Sequence, residues 1–260
     1  MRSRKKFRRI GGVPVKSRAQ IDGIRESGKV NTAVLDYVQE HISAGIPTAE
    51  IDRWVSEETK RLGGIAAPLH YEGFPKSVCT SRNNVICHGI PNKREFLKEG
   101  DIINVDVSTI YKGYFSDASR MFCIGEVSAD KRRLVQVTRE AVQVGLMEVK
   151  PWKPIGDMGH AVHMYALGQG YSVVEDIGGH GVGLQFHEDP FVSCVSPKGS
   201  GEIMVPGMVF TIEPMINMGT PDYYVDEKNG WTVYTADGMP SAQWEVTVAV
   251  LEDGYEVLSH

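Results

Sequence analysis

Long hydrophobic runs and closely spaced cysteines are both missing from this sequence of 260 residues. No apolar run reaches the roughly 18 residues of a membrane span, and no signal-peptide block follows the basic start. The four cysteines, Cys79, Cys87, Cys123 and Cys194, lie far apart, unlike those of a zinc knuckle or a disulfide-rich secreted protein. We therefore expect a cytoplasmic protein with reduced thiols and no contact with a membrane.

Positive charge is concentrated at the start of the chain. Residues 2–9 carry six Lys or Arg, and the rest of the chain has 22 basic against 33 acidic side chains. Such a tail could bind ribosomal RNA or another polyanion through salt-sensitive electrostatics. A solvated terminus is the simpler interpretation, so we expect residues 1–12 to be a disordered tail ahead of a single domain, residues 13–260.

The pattern of apolar residues predicts two pairs of amphipathic helices. Residues 17–20 have the S-x-x-Q form of a capping box, and apolar residues then recur at helical spacing until Gly45. Thr48 is the expected cap of the second helix, which Gly63 ends. Ser128 is the expected cap of the third helix, and a fourth is expected from about residue 155 to residue 169.

The predicted elements repeat along the chain. A shift of 107 positions lays Pro47 on Pro154 and Asp106 on Glu213. We interpret this as an internal duplication, with residues 17–127 and 128–258 forming two similar halves of one α+β unit. Each half would contain a helix pair followed by antiparallel strands.

Two aspartates are expected on one face of a hairpin in the first half. Residues 102–110 and 114–124 have strand composition, and Lys112–Gly113 is a plausible two-residue turn between them. The resulting register places Asp106 and Asp117 as diagonal neighbours, about 7–8 Å apart at the backbone. Two solvent-facing acids would explain this pair alone.

Two glutamates in the second half make a metal site the better explanation. Glu213 and Glu245 each stand alone in an apolar strand sequence, where a buried carboxylate is costly unless it is paired or metal-bound. His180 lies in a glycine-rich stretch whose backbone must take an unusual path or be approached closely. His187 follows seven residues later, and His88 ends another predicted strand at a turn. Four carboxylates and one imidazole suit two ions of Mn, Fe, Co or Zn, about 3.5–4 Å apart.

Several segments, taken together and in order, resemble the type I methionine aminopeptidases. They are residues 76–79 (KSVC), 87–91 (CHGIP), 104–107 (NVDV), 179–181 (GHG), 186–188 (FHE), 210–214 (FTIEP) and 230–233 (GWTV). The 32 residues between His180 and Glu213 leave no room for the insertion of type II enzymes. The resemblance implies the pita-bread α+β fold, in which two pseudo-symmetric halves surround a central metal site.

The resemblance also implies a role for each matching residue. Those matching the five metal ligands of the family are Asp106, Asp117, His180, Glu213 and Glu245. Asp106 would bind one divalent ion, His180 and Glu213 the other, and Asp117 and Glu245 would bridge. The residues matching the substrate site are His88, His187, Tyr71, Phe74, Cys79, Phe186 and Trp231. His88, His187 and Glu213 would be catalytic, with Glu213 moving a proton.

Further positions match less closely. Asn83, Val85 and Ser241 resemble positions that hold a monovalent cation in some relatives. Ile177, Cys194 and Val246 depart from the residues usual in the family, which bears on the outer pocket and on metal preference.

The implied function is removal of the N-terminal methionine from nascent polypeptides with a small second residue, by two-metal activation of a bridging water or hydroxide. A monomer is expected. A proline-specific peptidase of the same fold is the alternative enzyme, but it would need a further N-terminal domain. A non-enzymatic binding module of this fold is the other alternative, yet such proteins have lost metal ligands and all five are present here.

Overall fold

The structure is a computed structural model that describes residues 8–260. Within this range its four α-helices are α1 (Arg18–His41), α2 (Thr48–Arg61), α3 (Ala129–Glu148) and α4 (Gly156–Gly168), and a short 3-10 helix covers Tyr71–Gly73. The strands before α3 are β1 (Arg8–Ile10), β2 (Val13–Val15), β3 (Ile65–Ala66), β4 (Cys79–Arg82), β5 (Val85–Cys87), β6 (Ile102–Tyr111) and β7 (Tyr114–Cys123). The strands after α4 are β8 (Ser172–Val173), β9 (Gly179–Gly181), β10 (Glu188–Val192), β11 (Val209–Ile212), β12 (Met215–Asn217), β13 (Tyr223–Val225), β14 (Val233–Thr235), β15 (Ser241–Gln243), β16 (Val246–Leu251) and β17 (Gly254–Ser259).

The helix starts largely follow the sequence signals. Ser17 caps α1 in a complete capping box with Gln20, and the Ser128 hydroxyl accepts from the backbone amide of Lys131 at the start of α3. The cap predicted at Thr48 is wrong, because Pro47 holds the cap position and the Thr48 hydroxyl instead donates to the carbonyl of Asn92.

The end predicted for α1 is also wrong. The helix stops at His41, and the following Ile42 is its C-cap in an extended conformation. Gly45 lies beyond the helix, where its amide donates to the carbonyl of Leu97. The apolar pattern ran past His41 because Ile42 still packs against the core beneath α1 and α2.

The two halves show the expected α+β duplication. Strands β3 and β4 pair with successive parts of β6 on one side, and β7 pairs with it on the other. The second half builds the five-stranded order β10-β9-β11-β16-β17. Helices α1 and α2 enclose a core with the first sheet, while α3 and α4 do the same with the second.

The predicted hairpin register is confirmed. In the β6–β7 pair Asp106 lies opposite Ser119, and Ser108 lies opposite Asp117. Because side chains alternate along a strand, Asp106 and Asp117 share one face of the sheet. The first half therefore presents two carboxylates side by side.

Continuous strands around Glu213 and Glu245 were predicted, and the structure corrects this. The β11–β16 pairing ends at Ile212 opposite Val246, and the β12–β15 pairing resumes with Met215 opposite Gln243. Both glutamates lie in the gap of this one antiparallel ladder. Pro214 cannot donate a ladder hydrogen bond, which contributes to the interruption.

A short hairpin of β1 and β2 precedes α1. The tail predicted over residues 1–12 overlaps this hairpin at residues 8–12, and residues 1–7 lie outside the described part of the chain. Within residues 8–260, no helix combines the length and apolar character that a membrane crossing requires.

Candidate active site

A row of facing residues joins the two halves at the centre of the molecule. Asp106 on β6 lies opposite Cys79 on β4 and opposite Ser119 on β7. Ser119 in turn forms an isolated antiparallel bridge with Glu245, through backbone hydrogen bonds of 3.1 and 3.3 Å. Asp117 stands two residues before Ser119 on the same strand face, so three carboxylates converge where the half-sheets meet.

His180 on β9 adds an imidazole to these carboxylates. Its Nδ1 lies 3.0 Å from the carbonyl oxygen of Gly181, which can only accept, so Nδ1 carries the proton. Its Nε2 lies 3.7 Å from Asp117 Oδ2 and 3.6 Å from Glu213 Oε1. Burial lowers the pKa of His180 to about 3, so the ring is neutral. Its Nε2 therefore offers a lone pair towards the acidic cluster, which consists of Asp106, Asp117, Glu213 and Glu245.

The glycines around His180 are required because neighbouring backbone atoms approach them closely. This is one of the two explanations that the sequence left open. A side-chain carbon at Gly179 would meet the carbonyl oxygen of Thr211 at 2.4 Å, and one at Gly181 would meet that of Asp189 at 2.2 Å. Neither glycine has a positive φ. Packing against the neighbouring strands therefore explains this glycine-rich segment.

Two polar side chains that sequence reasoning missed hold Glu213. The Thr211 hydroxyl donates to Glu213 Oε1 at 2.7 Å and also accepts from the backbone amide of His180 at 2.9 Å. Gln243 Nε2 donates to Glu213 Oε2 at 3.1 Å. The only sequence signal for this role is a polar residue at a strand position expected to be buried. Threonine and glutamine occur often at such positions without contacting a functional group.

Asp117 is held in a similar way. The Ser108 hydroxyl donates to Asp117 Oδ1 at 2.7 Å. The Thr247 hydroxyl bonds the backbone of Asp117, donating to its carbonyl at 2.7 Å and accepting from its amide at 3.3 Å. Hydrogen bonds thus orient both the side chain and the backbone of this residue.

The donor set fits divalent metal ions. Among the described residues, no Lys or Arg forms an ion pair with any of the four carboxylates. Asp106 Oδ1 and Glu245 Oε1 are buried without a hydrogen-bond partner. Ligand atoms of Asp117, His180 and Glu245 lie within 4.8 Å of one another. A cation among these atoms would satisfy the orphaned oxygens.

The raised pKa values of the four acids also indicate that the cluster lacks a compensating positive charge. Burial raises the pKa of Asp106 to about 7 and the pKa of Glu213 to about 8. It also raises the pKa of Asp117 and the pKa of Glu245 well above their ordinary values, and repulsion from the neighbouring carboxylates adds to the effect. Without a cation the cluster therefore retains protons near neutral pH.

The acidic cluster forms the floor of a cavity of about 400 Å³. All the residues predicted to contact substrate line this cavity: Tyr71, Phe74, Cys79, His88, Phe186, His187 and Trp231. Phe74 meets Trp231 edge-on with ring centres 5.2 Å apart, and Tyr71 meets Phe186 in the same way at 4.7 Å. Aromatic edges and a thiol form a wall suited to a thioether side chain.

The two remaining histidines stand at the rim of the acidic cluster. Burial and the neighbouring His187 lower the pKa of His88 to about 4. His187 is exposed, stacks on Phe186 with ring centres 4.3 Å apart, and has Nδ1 at 2.9 Å from the Tyr71 hydroxyl. Its ring centre lies 4.2 Å from that of His180, so it adjoins the cluster.

The residues with weaker matches lie in different places. The Ser241 amide donates to the Asn83 carbonyl at 2.9 Å, and Val85 is the first residue of β5. These three residues are not among those lining the cavity. Ile177 lines the cavity. Cys194 is buried, which together with Glu213 raises the pKa of its thiol to about 12, and Val246 is buried at the start of β16.

Comparison with known proteins agrees with this geometry. The profile of metallopeptidase family M24 matches residues 22–252. Methionine aminopeptidase A of Synechocystis sp. is 47% identical over 94% of this chain and 96% of its own length. The crystal structure of methionine aminopeptidase from Rickettsia prowazekii aligns with a TM-score of 0.94 at 40% identity, covering 95% of this chain and 100% of that chain.

The chain therefore belongs to metallopeptidase family M24. Within that family it belongs with the methionine aminopeptidases, which confirms the resemblance found in the sequence and the pita-bread fold expected from it. Prolidase from Pyrococcus furiosus aligns with a TM-score of 0.76 at 21% identity, over 95% of this chain and 65% of that chain, and shares the fold alone.

Proposed function

We propose that this protein removes the N-terminal methionine from nascent proteins and peptides whose second residue is small, with the help of two divalent metal ions. The observation that carries the proposal is the position of an uncompensated acidic cluster directly beneath a cavity walled by aromatic rings. The relatives are named methionine aminopeptidases, at 41–47% identity over most of the chain. Ions of Co, Mn, Fe or Zn suit this mixture of carboxylates and imidazole.

We assign Asp106 to one ion and His180 and Glu213 to the other, with Asp117 and Glu245 shared between them. This assignment comes from the family resemblance. It is compatible with the 3.6 Å separation of His180 Nε2 from Glu213 Oε1 and with the orphaned oxygens of Asp106 and Glu245. When bound, the ions would supply a Lewis acid and an activated water for hydrolysis of the peptide bond.

The cavity would select the substrate through its depth and its wall. The methionine side chain would occupy the space between Phe74, Trp231 and Cys79, where a flexible thioether packs well against rings and sulfur. The free α-amine would then lie over the acidic cluster, which accounts for cleavage at chain ends only.

His88 and His187 would hold the scissile peptide group. Loss of hydration within the cavity lowers the pKa of both rings, so both are neutral near pH 7 and each can donate one N–H to a carbonyl or accept from an amide. Glu213 would carry the proton between attacking and leaving atoms, since the Thr211 and Gln243 hydrogen bonds keep its carboxylate in place.

Peptide hydrolysis by metal-stripped protein, with each metal restored in turn, tests the function. Met-Ala-Ser should be cleaved after methionine, whereas Met-Leu-Ser should be cleaved at least about tenfold more slowly, and neither without metal. Cleavage of an Xaa-Pro peptide in preference to Met-Ala-Ser would show the alternative enzyme. No hydrolysis with any metal, in folded protein, would favour the binding module.

The cellular setting is a separate proposal. Residues 2–9 carry six basic side chains, so a cytoplasmic monomer could use them to bind ribosomal RNA near emerging chains. Deleting residues 2–9 should weaken salt-sensitive cosedimentation with ribosomes and leave Met-Ala-Ser hydrolysis unchanged. A monovalent cation near Asn83, Val85 and Ser241 is proposed from the resemblance alone, and K⁺ or Na⁺ dependence of unfolding would test it.

A further inference from the structure

Phe186 and His187 lie on a loop between β9 and β10 that a single carboxylate closes. The backbone amides of Leu184 and Gln185 both donate to Glu188 Oε1, at 2.6 and 2.8 Å. Because the donors precede the two pocket residues and the acceptor follows them, the Glu188 carboxylate sets the course of the loop between.

The other oxygen of this carboxylate contacts a buried lysine that lies far earlier in the sequence, just before α1. Lys16 Nζ lies 2.9 Å from Glu188 Oε2, and the two side chains are 0% and 4% exposed. The Lys16 ammonium also donates to the Val209 carbonyl at 3.4 Å, and its backbone amide donates to the Gly207 carbonyl at 2.7 Å. Lys16 is therefore fixed at both its backbone and its ammonium.

Burial lowers the pKa of the Lys16 ammonium, and attraction to Glu188 opposes the effect. A buried ion pair contributes little net stability, because dehydration of both charges offsets their attraction. It does hold both groups in one arrangement, since removing either partner leaves a buried charge. The pair is thus better suited to fixing geometry than to stabilising the fold.

The same loop carries His187 into the cavity. Its ring is exposed and contacts Phe186 of the same loop, the Tyr71 hydroxyl and the ring of His180. Within residues 8–260, Lys16 provides the only ion pair to Glu188. Displacing a catalytic group by about 1 Å can cost about a hundredfold in rate.

We propose that Lys16 is a positioning residue for His187, acting through the Glu188 carboxylate that closes the loop. The proposal rests on the substrate role assigned to His187 above. It connects the segment before α1 to the peptide-binding side of the cavity, without involving any metal ligand.

The Lys16→Met substitution in the full-length, metal-loaded protein tests the proposal. We expect kcat/KM on Met-Ala-Ser to fall at least about tenfold while the metal content stays at the wild-type value. Arg25→Met is the matched control, because Arg25 pairs with Glu256 between α1 and β17, away from the cavity. Its kcat/KM should remain within about twofold of wild type.

The same substitution in a His187→Ala background separates positioning from general damage to the fold. If Lys16 acts through His187, Lys16→Met should cost less than about twofold in that background. An equal loss in both backgrounds would overturn the proposal, as would wild-type turnover of Lys16→Met. Wild-type turnover of His187→Ala alone would instead refute the substrate role of His187, and the proposal with it.

Lys16→Met leaves the Glu188 charge buried and unpaired, which could prevent the variant from folding. A second variant therefore removes this charge as well. Lys16→Met with Glu188→Gln leaves no buried charge and keeps an oxygen able to accept from Leu184 and Gln185, but this side chain still lacks the Lys16 contact that fixes it. This double variant should bind metal normally and lose at least about tenfold in kcat/KM, with the same insensitivity in the His187→Ala background. Wild-type turnover in the double variant would overturn the proposal.

Discussion

Replacing Thr211 with valine should weaken metal binding, because one hydroxyl organises two of the proposed ligands. The Thr211 hydroxyl accepts from the His180 amide at 2.9 Å and donates to Glu213 Oε1 at 2.7 Å. Valine has nearly the same shape but leaves both partners without this hydrogen bond. We expect the metal-free protein to lose about 1–3 kcal/mol of unfolding free energy, the cost of an unsatisfied buried amide.

The loss of metal affinity should be about 10- to 100-fold, the range for a group that orients a metal ligand. Thr247→Val is the matched control, since Thr247 lies directly opposite Thr211 in the β11–β16 pair and is also fully buried. It bonds only the backbone of Asp117, whose carboxylate the Ser108 hydroxyl still holds, so its affinity loss should be smaller than that of Thr211→Val for a similar loss of stability.

Denaturant unfolding of the metal-free proteins and metal titration against a competing chelator measure the two quantities separately. If Thr211→Val binds metal as tightly as wild type, the hydroxyl does not orient the ligands and the argument fails. If Thr247→Val loses as much affinity as Thr211→Val, the effect reflects general loosening of the sheet.

Three further outcomes are expected. Asp106→Asn or Glu245→Gln should lower turnover at least about a hundredfold with loss of bound metal, and near-normal turnover with full metal content would contradict the ligand assignment. His187→Ala should keep wild-type metal content while turnover falls about a hundredfold, whereas metal loss in proportion to activity would make His187 a ligand. The melting temperature of the metal-free protein should fall as pH rises through about 7 and 8, the raised pKa values of Asp106 and Glu213, because the folded state retains protons that the unfolded state has released. Metal-saturated protein should lack this fall, and a metal-free protein equally stable at pH 5 and pH 8 would refute the burial argument.

Much of the first half was predictable because its signals are local. The turn at Lys112–Gly113 and strict alternation fix the β6–β7 register, and with it the shared face of Asp106 and Asp117. The capping box at Ser17 likewise involves neighbours three residues apart. Such signals depend on backbone geometry that a short segment determines by itself.

The errors occurred where distant contacts override local preference. Thr48 has the side chain of a cap, yet its hydroxyl donates to the Asn92 carbonyl and accepts from the Asn92 amide, so it is already engaged. The interruption at Glu213 and Glu245 depends on how two strands far apart in sequence pair. Lys16 and Glu188 are far apart in sequence, and neither residue type predicts contact with the other.

The arrangement of the candidate ligands also bears on how the two halves stay together. Asp106 and Asp117 come from β6 and β7, whereas His180, Glu213 and Glu245 come from the second half. Strand β7 meets the backbone of the second half at the bridge of Ser119 and Glu245 and at the hydrogen bond from the Phe115 amide to the Gly183 carbonyl. The bridge lies beside four carboxylates that repel one another when ionised. Bound cations would replace that repulsion with attraction to both halves, so metal binding would stabilise the junction as well as supply the chemistry. The metal-dependent gain in stability should therefore be largest near and above pH 8, where the pKa of about 8 leaves Glu213 increasingly ionised in the metal-free protein.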